Sequence, residues 1–309
     1  MSDAEREAYA RDGFVRLKNI YPLSWVELLE AQLEDVFEHQ PHRAMDQRSV
    51  TGGRTQGIRV DMAALANGMI AAVPDASIAV EGGRDAPIVG RSIVETDAAS
   101  WHSGIRRHHL EGPLPEIVAD LTGTGKIVFY ADQLFLKEPG SRIRTPFHQD
   151  EPYFLVQGEV AVCWVPVDPV TRENGCMGYV RGSHRWGRLF KPSDFVTDDG
   201  TFPERDGIEH SGLETLPPID VEGPDVVYLE ADPGDVIVHH WSTVHGAAGN
   251  VSGSATRRAA SVRYALGDSR YFRRASSPEP FRDTLDLRDG DPLDRAPRFP
   301  VVWPRVRRR

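Results

Sequence analysis

The sequence predicts a mainly β protein with flanking helices. Residues 126–137, 159–167 and 257–266 show the alternation and the β-branched or aromatic content that are typical of strands. Helical periodicity is instead concentrated before residue 122. The candidate metal ligands described below are spread over the middle and late chain, which favours one domain over all 309 residues. Within it we expect N-terminal helices at 1–122, a β core at 126–266 and a C-terminal extension at 267–309.

The N-terminal part predicts a short helix at 3–11, an alternating edge strand at 13–17 and then the strongest helix of the chain. Ser24 can cap that helix, and Glu27 can close a capping box with it. Its apolar residues recur at helical spacing and predict packing against a sheet: Trp25, Leu28, Leu29, Leu33, Val36 and Phe37.

Two irregular segments, 41–60 and 74–112, are rich in Gly, Arg, Pro and Asp and flank a helical patch at 61–73. Residues 191–224 form a further Pro- and acid-rich insertion. Long segments of this kind in a compact domain are either disordered or functional lids, so we expect 41–112 and 191–224 to supply the lid. The run Arg106 to His109 is interpreted as a solvated basic face, with binding of an anionic substrate group as the alternative.

The core elements follow a helix at 115–121 that Gly123 ends. In the strand at 159–167, Trp164 shares a face with Val160, Val162 and Pro166, whereas Cys163 points the other way. Residues 226–229 and 236–240 flank a Pro-Gly turn and predict a pair of strands. The apolar patch at 299–304 is expected to dock on the core, and Arg305 to Arg309 to form a solvated tail.

One short stretch carries metal-binding chemistry. If Thr145 to Glu151 is extended, His148 and Asp150 lie on the same face and offer one imidazole nitrogen and one carboxylate oxygen. His245 is the preferred third ligand, because Gly246 suits a crowded site; His239 and His240 are its rivals. Two histidines and one carboxylate form the facial triad of non-haem Fe(II) oxygenases, which leaves positions open for co-substrate and O₂.

Two further polar residues, His184 and Arg257, belong to motifs near these ligands. His184 lies in a polar loop beside two arginines and is interpreted as a structural or surface histidine. Arg257 follows His245 by 12 residues, at the start of a predicted strand. A guanidinium binds a carboxylate through two hydrogen bonds, so Arg257 could hold the far carboxylate of a keto-diacid whose other end chelates the metal.

Several motifs in order resemble the phytanoyl-CoA dioxygenase family of Fe(II)/2-oxoglutarate oxygenases over roughly residues 126–266. The motifs are His148-Gln149-Asp150, Trp164, the segments 173–177 and 182–185, the turn at 233–236, His245-Gly246 and Arg257.

The resemblance implies a double-stranded β-helix, the jelly-roll or cupin-like fold, with Fe(II) on His148, Asp150 and His245. It also implies that Arg257 binds the C5 carboxylate of 2-oxoglutarate and that Gln133 and Trp164 line the co-substrate pocket. Many relatives carry a hydroxyl residue two positions after the second histidine, where this chain has Ala247. The resemblance therefore implies that one hydrogen bond to the co-substrate is missing and that binding of its carboxylate depends more on Arg257. Because related halogenases have a small residue at the position of Asp150, its presence favours hydroxylation or desaturation.

The composition of the chain limits the classes of molecule that the protein can bind. The chain has 36 Lys and Arg against 46 Asp and Glu, a net charge of −10, which disfavours nucleic-acid binding. Two cysteines cannot build a disulfide scaffold, and we recognise no signal peptide or membrane-spanning apolar run. We therefore expect a cytoplasmic enzyme with a small-molecule substrate. The alternatives are a zinc-dependent hydrolase or isomerase on a cupin-like barrel and a non-catalytic ligand-binding jelly roll.

Overall fold

Two β-sheets and a layer of helices make up the part of the protein that positions the candidate site. The computed structural model describes residues 1–39, 90–193, 209–277 and 285–305, together with the backbone of short strands between 45 and 60. The helices are α1 (Asp3–Asp12), α2 (Leu23–His39), α3 (Ser103–Glu111) and α4 (Leu114–Thr122). The strands are β1 (Phe14–Leu17), β2 (Met45–Gln47), β3 (Val50–Thr51), β4 (Arg54–Thr55), β5 (Ile58–Val60), β6 (Ser92–Thr96), β7 (Ile127–Lys137), β8 (Thr145–His148), β9 (Val156–Pro166), β10 (Met177–Val180), β11 (Val226–Leu229), β12 (Val236–His240), β13 (His245–Ala247), β14 (Arg257–Tyr271) and β15 (Val301–Trp303).

The larger sheet has the order β1-β12-β9-β14-β7-β6-β2-β5, with β15 also paired to β7. The smaller sheet has the order β11-β10-β13-β8. All the ladders in both sheets are antiparallel. This is the jelly-roll core that the resemblance implied, and β1 lies at a sheet edge as its alternation predicted.

Side chains on the two faces of β9 belong to two different hydrophobic clusters. Ala161, Cys163 and Val165 belong to the cluster that the helices cover, whereas Trp164 packs in a cluster with residues of the smaller sheet, such as Tyr179. Because side chains in a strand point alternately to opposite faces, one strand serves both the helical layer and the space between the sheets. Trp164 is therefore placed inside the β core, and Cys163 on the opposite face.

The helical layer packs on the outer face of the larger sheet through the predicted apolar stripe of α2. Leu29 and Leu33 of α2 are fully buried, and burying each such side chain contributes roughly 1.5–3 kcal/mol. The helix begins at Leu23, so Ser24 lies inside its first turn instead of capping it. Gly123 ends α4 with φ +71°, a conformation that favours glycine.

Two predictions from the sequence are wrong: the pairing of two strands and the irregular structure of one segment. β11 and β12 do not pair with each other: β11 pairs with β10 in the smaller sheet, and β12 pairs with β1 and β9 in the larger sheet. The Pro-Gly turn between them thus leads from one sheet to the other. Residues 90–112 are not irregular, because they contain β6 and α3; β6 pairs with β7, so the ladder overrides the loop-like composition of this segment.

The C-terminal patch docks as expected, since Phe299 is fully buried and β15 pairs with β7. The predicted helical patch at 61–73, part of the 191–224 insertion and residues 306–309 of the tail lie outside the described residues. Among the described helices, none has both the length and the apolar character needed to cross a membrane.

Candidate active site

The three predicted metal ligands meet at one end of the smaller sheet. β13 pairs with β8 so that His245 lies directly opposite His148. Asp150 lies two residues after the end of β8, and its backbone N–H donates to the carbonyl of Trp241 at 2.9 Å. One ligand atom from each of the three side chains lies within 4.8 Å of the other two, and all three residues are buried. Among the described residues, this is the group of His, Cys, Asp and Glu side chains that could hold a metal ion.

Both histidines are oriented by backbone carbonyls. The Nδ1 of His148 lies 2.9 Å from the carbonyl oxygen of Pro146, and the Nδ1 of His245 lies 2.8 Å from that of Thr243. A carbonyl can only accept, so each Nδ1 carries the proton and each Nε2 presents a lone pair. The Nε2 atoms lie 3.4 and 3.9 Å from Oδ1 of Asp150. Three electron-pair donors therefore face each other, which is the arrangement that a divalent cation would stabilise.

Electrostatics keeps these groups in the states that bind metal. Burial acts to raise the pKa of the Asp150 carboxyl, but the neighbouring Arg263 guanidinium opposes it, and that pKa lies well below its usual range. Burial, reinforced by His148, lowers the pKa of His245 to about 4. At neutral pH the site thus contains a carboxylate and, at His245, a neutral imidazole.

The two rival histidines have other environments. The Nε2 of His240 lies 2.6 Å from Oε2 of Glu159, outside the core. His239 is buried, with its ring centroid 4.4 Å from that of His245, and neither of its nitrogens has a hydrogen-bond partner among the described residues. It is not a member of the three-residue group. The geometry therefore favours His245 as the third ligand.

Gly246 allows β13 and β8 to approach closely. A Cβ added at this position would lie 2.8 Å from the carbonyl oxygen of Thr145 and 3.0 Å from the Phe147 ring. Contacts this short require the strands to separate, so glycine is needed for the pairing that sets His245 opposite His148. This agrees with the expectation that Gly246 suits a crowded site.

Arg257 begins β14 and is 1% exposed. Its Nη2 donates to the carbonyl of Gly175 at 2.9 Å, and its Cζ lies 5.4 Å from the Trp164 ring centroid. Burial lowers the pKa of Arg257 to about 10, so the side chain remains a cation at neutral pH. No acidic side chain is hydrogen-bonded to it among the described residues, so its buried charge is available to an anionic ligand.

Tyr179 lies between Arg257 and the candidate metal ligands. Its ring stacks on that of His245 at 5.9 Å, and burial raises the pKa of its hydroxyl, with Asp150 acting in the same direction and Arg257 opposing it. Within the described part of the chain, the buried donor atoms in this region that lack hydrogen-bond partners include Tyr179 Oη, Trp164 Nε1 and Arg257 Nη1. Buried polar groups are normally paired, so these donors fit an acceptor-rich ligand such as a dicarboxylate. The residues present thus suit both Fe(II) and 2-oxoglutarate.

Arg263, which is 4% exposed, is a residue of the site that the sequence patterns did not indicate. Its Nη2 lies 3.0 Å from Oδ2 of Asp150 and donates to Oε1 of Gln133 at 2.6 Å. Arg257 and Arg263 are six residues apart on one strand and so share a face, a signal that the alternation of β14 could have provided. Gln133 is engaged with this arginine, and its contact with the co-substrate stays a prediction.

The remaining candidates lie away from the three ligands. The Nε2 of His184 lies 3.2 Å from the carbonyl of Ala10, as fits a structural role. Arg106 and Arg107 are exposed on α3, and Arg107 pairs with Glu111. His108 and His109 are instead fully buried and contact each other, because the inward face of α3 packs on the core. The solvated-face interpretation was therefore wrong for these two histidines.

The fold and the site define a jelly-roll protein with a His-Asp-His metal-binding triad. Residues 9–259 match the family model described as "Phytanoyl-CoA dioxygenase (PhyH)". The chain belongs to this family.

The sequence identity between this chain and individual relatives is low. A "Probable phytanoyl-CoA dioxygenase" from Caenorhabditis elegans is 29% identical over 160 residues, which cover 50% of this chain and 48% of the relative. "Dioxygenase lolE1" from Epichloe uncinata is 32% identical over 136 residues, 44% of each chain. The chain thus spans about half the length of these curated relatives. A solved structure described as the epimerase SnoN in complex with Fe3+, alpha ketoglutarate and nogalamycin RO covers 97% of this chain and 98% of its own, with 21% identity and a TM-score of 0.64. At this identity the similarity concerns the fold.

Proposed function

We propose that this protein is a non-haem Fe(II)/2-oxoglutarate-dependent dioxygenase that hydroxylates a small organic molecule. The observation that carries the proposal is the buried group of His148, Asp150 and His245, whose ligand atoms lie within 4.8 Å of one another. Two imidazoles and one carboxylate leave half of an octahedral metal open. Family membership supports the same chemistry.

Each side chain has a role in this proposal. The three ligands hold Fe(II), and the carbonyls of Pro146 and Thr243 keep both imidazoles turned toward it. Arg257 holds the distal carboxylate of 2-oxoglutarate, with Trp164 as the neighbouring wall of the pocket. When bound, Fe(II), 2-oxoglutarate and O₂ supply the oxidising chemistry and release succinate and CO₂.

Hydroxylation is proposed because Asp150 is intact, as the sequence indicated. A small-molecule substrate is supported by the solved relative whose description includes nogalamycin RO, a ligand of that protein. Arg106 and Arg107 are exposed on α3, and Arg107 pairs with Glu111, so these arginines give no support for an acyl-CoA substrate.

Metal analysis combined with O₂ uptake tests the proposal. Purified protein loaded anaerobically with Fe(II) should consume O₂ and form succinate only when 2-oxoglutarate is added, and a panel of small molecules should accelerate this turnover. Zn²⁺-supported hydrolysis or isomerisation without 2-oxoglutarate would favour the zinc enzyme. Binding of neither iron nor 2-oxoglutarate would favour a non-catalytic ligand-binding jelly roll.

A further inference from the structure

Arg263 and Asp150 form a buried ion pair in which only one carboxylate oxygen takes part. The Nε and Nη2 of Arg263 lie 3.1 and 3.0 Å from Oδ2 of Asp150. The other oxygen, Oδ1, faces the Nε2 atoms of His148 and His245 at 3.4 and 3.9 Å. The two oxygens of one carboxylate are therefore divided between a guanidinium and the metal position.

The guanidinium itself is held in place from two further sides. Its Nη2 donates to Oε1 of Gln133 at 2.6 Å, and its Cζ lies 4.9 Å from the centroid of the Phe154 ring. Residues Asp150 and Arg263 are 2% and 4% exposed, so water does not compete for these contacts. A charge-assisted hydrogen bond in such surroundings fixes the rotation of the carboxylate about its Cβ–Cγ bond.

We propose that Arg263 is a positioning residue that withholds Oδ2 of Asp150 from the metal, so that this ligand occupies one coordination position. The inference rests on the proposed function. A carboxylate bound through both oxygens would take a position that 2-oxoglutarate or O₂ requires, because the facial triad works by leaving three positions open. Arg263 thus keeps the site receptive to the co-substrate.

The proposal predicts an unusual combination of effects. Arg263→Met removes a cation that repels the metal and frees a second oxygen, so metal binding should not weaken. Binding of 2-oxoglutarate to the metal-loaded protein should weaken at least about 10-fold, because the second carboxylate oxygen competes for a position that the co-substrate needs. An arginine that only supports the fold would affect both equilibria in the same direction.

The experiment uses Mn²⁺, which replaces Fe(II) without turnover. Calorimetry gives the affinity for Mn²⁺ and then for 2-oxoglutarate, and crystal structures of the Mn²⁺-loaded proteins show which Asp150 oxygens contact the ion. In wild type we expect contact through Oδ1 alone, and in Arg263→Met through both oxygens. Arg263→Leu, a second apolar variant of different shape, also has no donor for Oδ2; it should show the same rotation of the carboxylate even if the Met variant fails to fold.

Arg258→Met is the matched control. Arg258 lies on the same strand and also binds a carboxylate through two nitrogens, Nε and Nη2, but its partner is Asp168 and it faces away from the site. This variant should bind Mn²⁺ and 2-oxoglutarate like wild type.

Two results would overturn the inference in distinguishable ways. If Arg263→Met or Arg263→Leu binds 2-oxoglutarate within twofold of wild type and Asp150 still contacts Mn²⁺ through Oδ1 alone, Arg263 is a structural ion pair and the proposed function stands. If wild type binds no Mn²⁺, or binds Mn²⁺ but no 2-oxoglutarate, the proposed function fails and the role of Arg263 fails with it.

Discussion

His245 lies directly opposite His148 in the antiparallel pair of β13 and β8, and the centroids of the two rings are 4.3 Å apart. Side chains opposite each other on adjacent strands project from the same face, so the register of one ladder brings together two ligands that are distant in sequence. Asp150 reaches the same point because the chain turns immediately after β8. The metal site is thus a consequence of how the smaller sheet pairs.

The first prediction concerns which histidine is the third ligand. His245→Ala should lower the affinity for Co²⁺ at least 100-fold, because the remaining two ligands cannot hold the ion alone. His239→Leu should bind Co²⁺ within about threefold of wild type, since His239 lies outside the three-residue group. Titration followed by Co²⁺ absorption measures both. Loss of binding in the His239 variant alone would exchange the two assignments.

The second prediction concerns Arg257. Arg257→Ala should weaken 2-oxoglutarate binding to the Mn²⁺-loaded protein by roughly 2–5 kcal/mol, because a buried carboxylate would lose its partner. Its neighbour Arg258 faces the other side of the sheet, so Arg258→Ala should leave this affinity unchanged. Calorimetry distinguishes the two variants. Equal affinities for the Arg257 variant and wild type would mean that another cation binds the distal carboxylate.

The third prediction uses the close approach of β13 and β8. Gly246→Ala should push the strands apart and lower Co²⁺ affinity, since the added Cβ would lie 2.8 Å from the carbonyl oxygen of Thr145. Gly253→Ala is the control, because an added Cβ there meets nothing within 4 Å. Wild-type metal affinity in the Gly246 variant would show that the strand spacing is not critical for the site.

The fourth prediction concerns the stability of the metal-free protein at acidic pH. Burial lowers the folded-state pKa of His108 to about 3 and of His245 to about 4, and holds those of His109 and His239 well below 6.5. Each of these four groups takes up a proton on unfolding below pH 6.5, so its contribution to stability is present above that pH and is lost as the pH falls. Asp132 acts in the opposite direction, because burial raises its pKa to about 7 and unfolding releases its proton.

Since four groups outnumber one, net proton uptake should destabilise the folded state as the pH falls from 6.5 to 5, at roughly 1.4 kcal/mol per pH unit for each net proton. Melting temperatures of metal-free protein across this range measure the effect. A melting temperature that stays constant or rises on acidification would contradict the protonation states assigned to these histidines.

Local patterns were sufficient to predict the long strands and to identify His148 and Asp150 as candidate metal ligands. The alternation in β7, β9 and β14 and the spacing of His148 and Asp150 depend on neighbouring residues, which a sequence displays directly. The resemblance to a known family then supplied the jelly-roll fold, and the binding of 2-oxoglutarate by Arg257 stays a prediction.

Long-range pairing explains what the sequence did not predict. β11 and β12 appeared as a hairpin because a Pro-Gly turn separates them, but each finds its partner in a different sheet. Likewise, β6 forms because the edge of β7 is available to it. Arg263 was missed because its significance depends on contact with Asp150, 113 residues away in the chain.

The most direct test of the central claim is an anaerobic titration of Fe(II)-loaded protein with 2-oxoglutarate, followed by visible absorption. Chelation of a ferrous ion by the keto acid produces a charge-transfer band in the visible region. We predict that the band appears in wild type and saturates at one equivalent, and that it is absent in Asp150→Ala, which also forms no succinate once O₂ is admitted. A wild-type spectrum without the band, or wild-type succinate formation by Asp150→Ala, would contradict the account.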